Sequence, residues 1–234
     1  MGIPKSRRVV DASLPKRDLT FQDFIILAAN KDHPDLLISK SLSHHGKLWE
    51  NVLGDLRTEG AFMPNLRIYH NFLNALISAS DSNTRLYDGR GKFIEDCEAL
   101  RLYRDITQAR DNRIPKSEFL DAYFKLTQDG KLTVTYHRLG IGGGLKLVTE
   151  PLEDCLMEDR TPGIDLNSWL SEANIQGLPS RRIAHGGLDY WHPRQDSIAW
   201  FKAGIDMTVF DCYGNPHFSD PALGVRKVFI RRSN

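Results

Sequence analysis

Near Pro115 the apolar residues of this 234-residue chain change their period, and that change restricts the fold more than any other feature. Before it they recur at three- and four-residue spacing, as on helices with one buried face. Leu48, Trp49, Val52, Leu53 and Leu56 form one series that stops at Gly60. Ile68, Tyr69, Phe72, Leu73, Leu76 and Ile77 form a second after Pro64. Leu100, Tyr103 and Ile106 form a third, after an Asp-Gly turn in residues 87–92. A short fourth helix is expected from Thr20, a suitable N-cap, with Leu19 and Phe24 at staple spacing ahead of Ile25, Ile26 and Leu27.

Beyond Pro115 the pattern alternates. Leu132, Val134 and Tyr136 alternate with Thr133 and Thr135, and the glycine-rich turn 140–144 joins this strand to residues 145–148 as a hairpin. Asp165 should cap a short helix through Leu166, Trp169 and Leu170 that ends at Asn174. From Leu188 onward the sequence has room only for short strands. In residues 198–205 Phe201, Ala203 and Ile205 face inward, with Lys202 and Gly204 opposite. In 208–213 Thr208, Phe210 and Cys212 face inward and Val209, Asp211 and Tyr213 outward, with Asp206 and Met207 as the turn between the two strands. A loop over 214–222, interrupted by Pro216 and Pro221, leads to a closing strand over 223–230. The expectation is an α+β chain, with a helical N-terminal region over 1–115 and a strand-rich domain over 116–234.

Composition narrows the function. Thirty-one basic residues against thirty acidic ones leave no bulk charge to draw nucleic acid or an anionic membrane. No apolar run is long enough to span a bilayer, and residues 1–17 mix Lys and Arg with Pro where a signal peptide would be apolar. Cys97, Cys155 and Cys212 are odd in number and widely spaced, so reduced thiols in a cytoplasmic setting are expected.

Tyr190-Trp191-His192-Pro193-Arg194, Ile198-Ala199-x-Phe201-x-Ala203, Cys212-x-x-x-Pro216 and Leu223-Gly224-Val225-Arg226 resemble the C-terminal signature of diversity-generating-retroelement variable proteins. The likeness is ungapped from Ile198 to Arg226 and extends weakly upstream through Glu118-Phe119-Leu120-Asp121-Ala122. It implies a C-type-lectin-like fold with short twisted antiparallel strands and long loops, whose scaffold presents diversified side chains to a protein or other macromolecular ligand. Carried over by position, the display set is Lys202, Gly204, Asp206, Met207, Val209, Asp211, Tyr213, Gly214, Asn215, His217, Phe218, Ser219 and Asp220. Lys202 and Met207 cannot arise by adenine mutagenesis of the usual Asn template codon, which leaves a fixed-specificity binding domain as the alternative. The likeness implies no catalytic residue, cofactor or metal.

Other readings are weaker. A formylglycine-generating oxidase shares the implied superfold, but its thiol chemistry needs paired cysteines near the C-terminus, where only Cys212 lies. Residues 140–144 are followed by a strand pattern and not by the helix a phosphate cradle requires. The acidic residues Glu150, Glu153, Asp154, Glu158 and Asp159 lack a calcium-loop pattern and suit a solvated helix face. The basic ends, including Arg226, Lys227, Arg231 and Arg232, suit solvated tails, with a polyanion patch as the alternative. If the strand register is right, Phe201→Ala should cost about 3–5 kcal/mol. Alanine at Lys202, Asp211 or His217 should change stability by less than about 0.5 kcal/mol.

Overall fold

A computed structural model describes residues 10–11, 20–81, 84–108, 116–140, 143–204 and 207–231. The strands are β1 (Val10–Asp11), β2 (Phe24–Leu27), β3 (Leu36–Ser39), β4 (Leu86–Asp88), β5 (Phe93–Ile94), β6 (Lys116–Leu126) and β7 (Leu132–Leu139). They continue as β8 (Gly144–Pro151), β9 (Arg160–Ile164), β10 (Leu188–Trp191), β11 (Ser197–Ala203), β12 (Thr208–Gly214), β13 (Leu223–Gly224) and β14 (Val228–Ile230). The helices are α1 (Trp49–Thr58), α2 (Leu66–Ser80), α3 (Asp96–Thr107) and α4 (Leu166–Glu172).

The expected order, a helical N-terminal region followed by a distinct lectin-like fold, is not what forms. Among the described residues strand outweighs helix, 38% against 24%, and the strands build two large sheets. One runs β1-β8-β7-β6-β11-β12-β10-β9, with β13 beside β6; the other runs β14-β3-β2-β4-β5. The second sheet takes its members from both ends of the sequence, because β14 pairs with β3 through Val228–Ile38 and Ile230–Leu36. In the N-terminal half, strands therefore alternate with helices.

The misread segment at Thr20 shows the cause. It is a 3-10 turn over Phe21–Asp23 followed by β2, not a helix. In β2, Ile25 and Leu27 enter one core and Phe24 and Ile26 the other; in β3, Leu36 and Ile38 are opposed by Leu37 in the same way. A strand buried on both faces reads as an unbroken apolar run, and its period cannot separate it from a short helix.

The three helices expected from period alone form as α1, α2 and α3, and Asp165 caps α4 by accepting from the Ser168 N–H at 2.7 Å. The hairpin is β7–β8. Unforeseen was β6, the longest strand at eleven residues, which lies at the centre of the large sheet. One edge of β6 is lined by β11 over 116–124, while the other is taken in turn by β7 at 123–126, by Asn65 at Asp121 and by β13 at 117–118. Its partners come from distant segments, so no local pattern marks it.

The expected closing strand over 223–230 is two short strands in different sheets, β13 and β14, with Arg226 between them. Arg226 is buried and gives paired hydrogen bonds to Glu118, both at 2.9 Å, with further bonds to the carbonyls of Ser39 and Lys40. Lys227 and Arg231 are paired with Glu59 and Asp35, so these three residues are not a solvated tail; Arg232 lies outside the described residues. Nor is the acidic run a helix face. Glu150 lies within β8, next to its last residue, and is paired with Arg67 and Arg138, and Glu158 and Asp159 lie in the loop before β9. Among the described residues no helix is long and apolar enough to cross a membrane.

Candidate ligand-display face

Strands β10, β11 and β12 lie side by side, and alternation, interrupted by a register shift between Ile198 and Trp200, gives them two unlike faces. Inward, Tyr190, Phe201 and Phe210 pack with Trp169 of α4, whose ring is 4.6 Å from Phe210 and 6.2 Å from Phe201. Of the inward assignments, Phe201, Ala203, Phe210 and Cys212 are buried side chains, Thr208 is half-buried, and Ile205 lies outside the described residues. Outward, Asp211 is in register with Trp191 of β10 on one side and Trp200 of β11 on the other. The strand order thus sets two indoles about a carboxylate.

Asp211 is the centre of this face and departs from its expected exposure. It is only 3% exposed. One carboxylate oxygen accepts the Tyr213 N–H at 2.6 Å and the other accepts the Trp200 indole N–H at 2.7 Å. Burial raises its pKa to about 6, helped by the charge of Asp159, although these two hydrogen bonds and Arg194 oppose the rise. Asp159 differs. Partial burial works against its ionisation, yet the His192 backbone and ring N–H groups and the Arg194 guanidinium hold its pKa below the usual carboxylate value.

Asp159 also organises the rim. It accepts from His192 Nδ1 at 2.7 Å and from the His192 backbone at 3.0 Å, and it pairs with Arg194. Arg194 in turn lies over the Tyr213 ring at 4.2 Å, a cation–π contact that presents both groups as one unit. On the opposite flank Phe218 packs against Trp200 at 5.8 Å. Trp191, Met207, Tyr213 and Phe218 are between 39% and 48% exposed, a concentration of large apolar surface on one side of the sheet.

The display set divides by position. Lys202, Met207, Tyr213, Asn215, His217, Phe218 and Ser219 are exposed, and Asp220 is half-buried. Gly204, Val209, Asp211 and Gly214 are buried, and Asp206 lies outside the described residues. A Cβ on Gly214 would stand 3.0 Å from the Ile198 carbonyl oxygen and from the Trp200 ring, so the backbone there admits little else. The loop 215–222 is pinned by its own side chains: Asn215 accepts from the His217 N–H at 2.9 Å and Asp220 from the Ala222 N–H at 2.6 Å. Asn215 and Asp220 thus shape the turns that carry His217 and Phe218 outward.

Sequence reasoning assigned no role to Trp191, Arg194, Trp200 or Asp159 on this face. Trp191, Arg194 and Trp200 stand within or beside the quoted motifs, which was the available signal. Asp159 is 35 residues from Arg194 in sequence, and only the folded chain brings the two together. Among the described residues no three His, Cys, Asp or Glu side chains converge as metal ligands.

The titration of Asp211 has a defined sign. Its carboxyl ionises near pH 6 when folded and near its ordinary 3.8 when unfolded. Folding therefore favours the protonated form, and this group's stabilising contribution is full below about pH 4 and lost as the pH rises through about 6. Urea midpoints of wild type and Asp211→Asn, measured from pH 4 to 7, should show the wild type losing up to about 3 kcal/mol relative to the variant. Parallel profiles would refute the assignment. No protein-family model, no curated protein and no solved structure matches this chain.

Proposed function

We propose that this chain is a ligand-binding protein, not an enzyme, that engages a macromolecular partner through the outer face of β10–β12 and the loop 215–222. The observation that carries the reading is the set of exposed rings of Trp191, Tyr213 and Phe218, two of them held by contacts with Arg194 and Trp200. Rigid aromatic anchors beside adaptable polar groups such as Asn215 and His217 are what a protein-binding surface uses. The resemblance to retroelement variable proteins supports the same reading and assigns the variation to Tyr213, Asn215, His217 and Phe218 among these residues, with Trp191 in the fixed motif.

A second reading, binding of fixed specificity, is favoured by the burial of Val209 and Asp211 and by the close packing at Gly214. Three positions of the display set would not vary freely without loss of fold. A displayed library separates the two regions. Randomising Tyr213, Asn215, His217 and Phe218 should preserve folded yield and give binders to a chosen protein target, each exposed substitution costing about 0.5 kcal/mol or less. Randomising Val209, Asp211 and Gly214 should reduce folded yield sharply. Equal tolerance in both libraries, or no binders from the first, would count against the face. Deep sequencing of the gene's final segment across one lineage then decides between diversification and fixed specificity. Substitutions confined to template adenines between Trp200 and Ala222 support the former, and silence there the latter.

A further inference from the structure

Two exposed anchors of the display face are tied to a single buried carboxylate. Asp211 receives the Trp200 indole N–H on one oxygen and the Tyr213 backbone N–H on the other. Trp200 in turn packs on Phe218 at 5.8 Å and on Phe119 at 6.3 Å, and Gly214, lacking a Cβ, lets the indole lie against β12. Tyr213 carries Arg194 over its ring. The position of Phe218 therefore depends on Asp211 through one indole, and that of the Tyr213–Arg194 unit through one backbone bond.

Each oxygen of Asp211 faces a donor, an arrangement that suits an ionised carboxylate because it only accepts. A proton on either oxygen replaces a charge-assisted bond by a neutral one of roughly half the strength. It also adds an O–H that must turn away from the N–H already there. The surroundings bring this change into mild acid. Burial is the main cause lifting the carboxyl to about 6, and Asp159 adds to it, against the Tyr213 and Trp200 N–H groups and Arg194. Asp159 itself stays ionised: partial burial opposes this, but the His192 N–H groups and Arg194 outweigh it. On the inner side burial keeps the Cys212 thiol protonated. At the register of Asp211, β10 brings Trp191 and β11 brings Trp200, neither of them charged. Acid thus removes the cost of a buried charge and raises global stability, while it slackens the two bonds that order the surface.

We propose that the display face is proton-gated: ionised Asp211 fixes the Trp200–Phe218 pair and Tyr213 in the presenting arrangement, and protonation of Asp211 releases them. Its consequence for a partner rests on the reading of this face as the ligand-binding surface. Asp211 is a positioning residue, acting on the partner through the anchors it holds.

NMR of the full chain between about pH 4.5 and 7.5 tests the gate without any partner. The Trp200 indole N–H, assigned through its contacts with Phe119 and Phe218, and the Tyr213 backbone N–H should shift with a common midpoint of about 6. Their hydrogen exchange, corrected for its intrinsic pH dependence, should be about five- to tenfold faster on the acid side, the difference between a charge-assisted and a neutral bond. Asp211→Asn, uncharged and with an amide donor in place of one acceptor, should show the acid behaviour at every pH. Histidines ordinarily titrate in the same range, so His192→Gln, which keeps a donor for Asp159, is the control and should respond as wild type does. Resonances that stay fixed across the range, unequal midpoints, or a response lost in His192→Gln and kept in Asp211→Asn would each overturn the gate. A displayed library that yields no binders would refute the binding face instead, and would leave these proton responses unchanged.

Discussion

Replacing Arg226 by Met should destabilise the protein by about 3–5 kcal/mol, because it leaves Glu118 buried without its counter-charge. Both side chains are only 4% exposed, and the guanidinium meets the carboxylate through two parallel hydrogen bonds at 2.9 Å. Arg226 also binds the Ser39 and Lys40 carbonyls at the end of β3 and lies 5.7 Å above the Phe72 ring of α2. It thus ties the central strand of the large sheet to the small sheet, at the point where the chain crosses from β13 to β14. The double variant Arg226→Met/Glu118→Leu should recover much of the loss, since the buried charge is gone and apolar volume replaces it. Urea unfolding of both variants measures this. A single variant within about 1 kcal/mol of wild type would mean that the pair is solvated and does not hold the sheets together.

Trp169→Ala should cost a similar amount, about 3–5 kcal/mol. Trp169 is 1% exposed, stacks on Phe210 and Phe201, meets the His70 ring edge-on at 5.9 Å, and donates its indole N–H to the Gly177 carbonyl at 3.1 Å. It sits on the inner side of the strands whose outer side forms the display face, so the cavity left behind should loosen β11 and β12 together. Trp169→Phe keeps most of the packing and loses the hydrogen bond, and should cost markedly less. Equal losses in the two variants would assign the effect to the Gly177 bond and not to the stack.

The parts of this fold that were legible in the sequence are those in which at least one face keeps a regular apolar period. Helices α1, α2 and α3 each pack one stripe, and strands β7, β11 and β12 keep one face of regular apolar alternation, so their periods survive in the residue order. Asp165 as a helix cap was legible for a related reason, since it acts within its own turn. β2 and β3 were not legible as strands, because burial on both faces erases alternation. The outward face of β12 was legible as a direction and not as an exposure: Val209 and Asp211 do point away from Phe210, but they are covered. Trp200 reaches across to bond Asp211, and the Asp159, His192 and Arg194 cluster lies beside it.

Sequence by itself therefore determined which segments pair locally and which way their side chains alternate, because those depend on neighbours a few residues apart. Tertiary structure decided what covers each face. It set β14 beside β3 across nearly the whole chain, joined Arg226 to Glu118 over 108 positions, and brought Asp159 to Arg194. These long-range choices fix which polar groups lose water, and hence which must be paired. The energy of such a pairing depends on burial and distance in space, which residue order does not record.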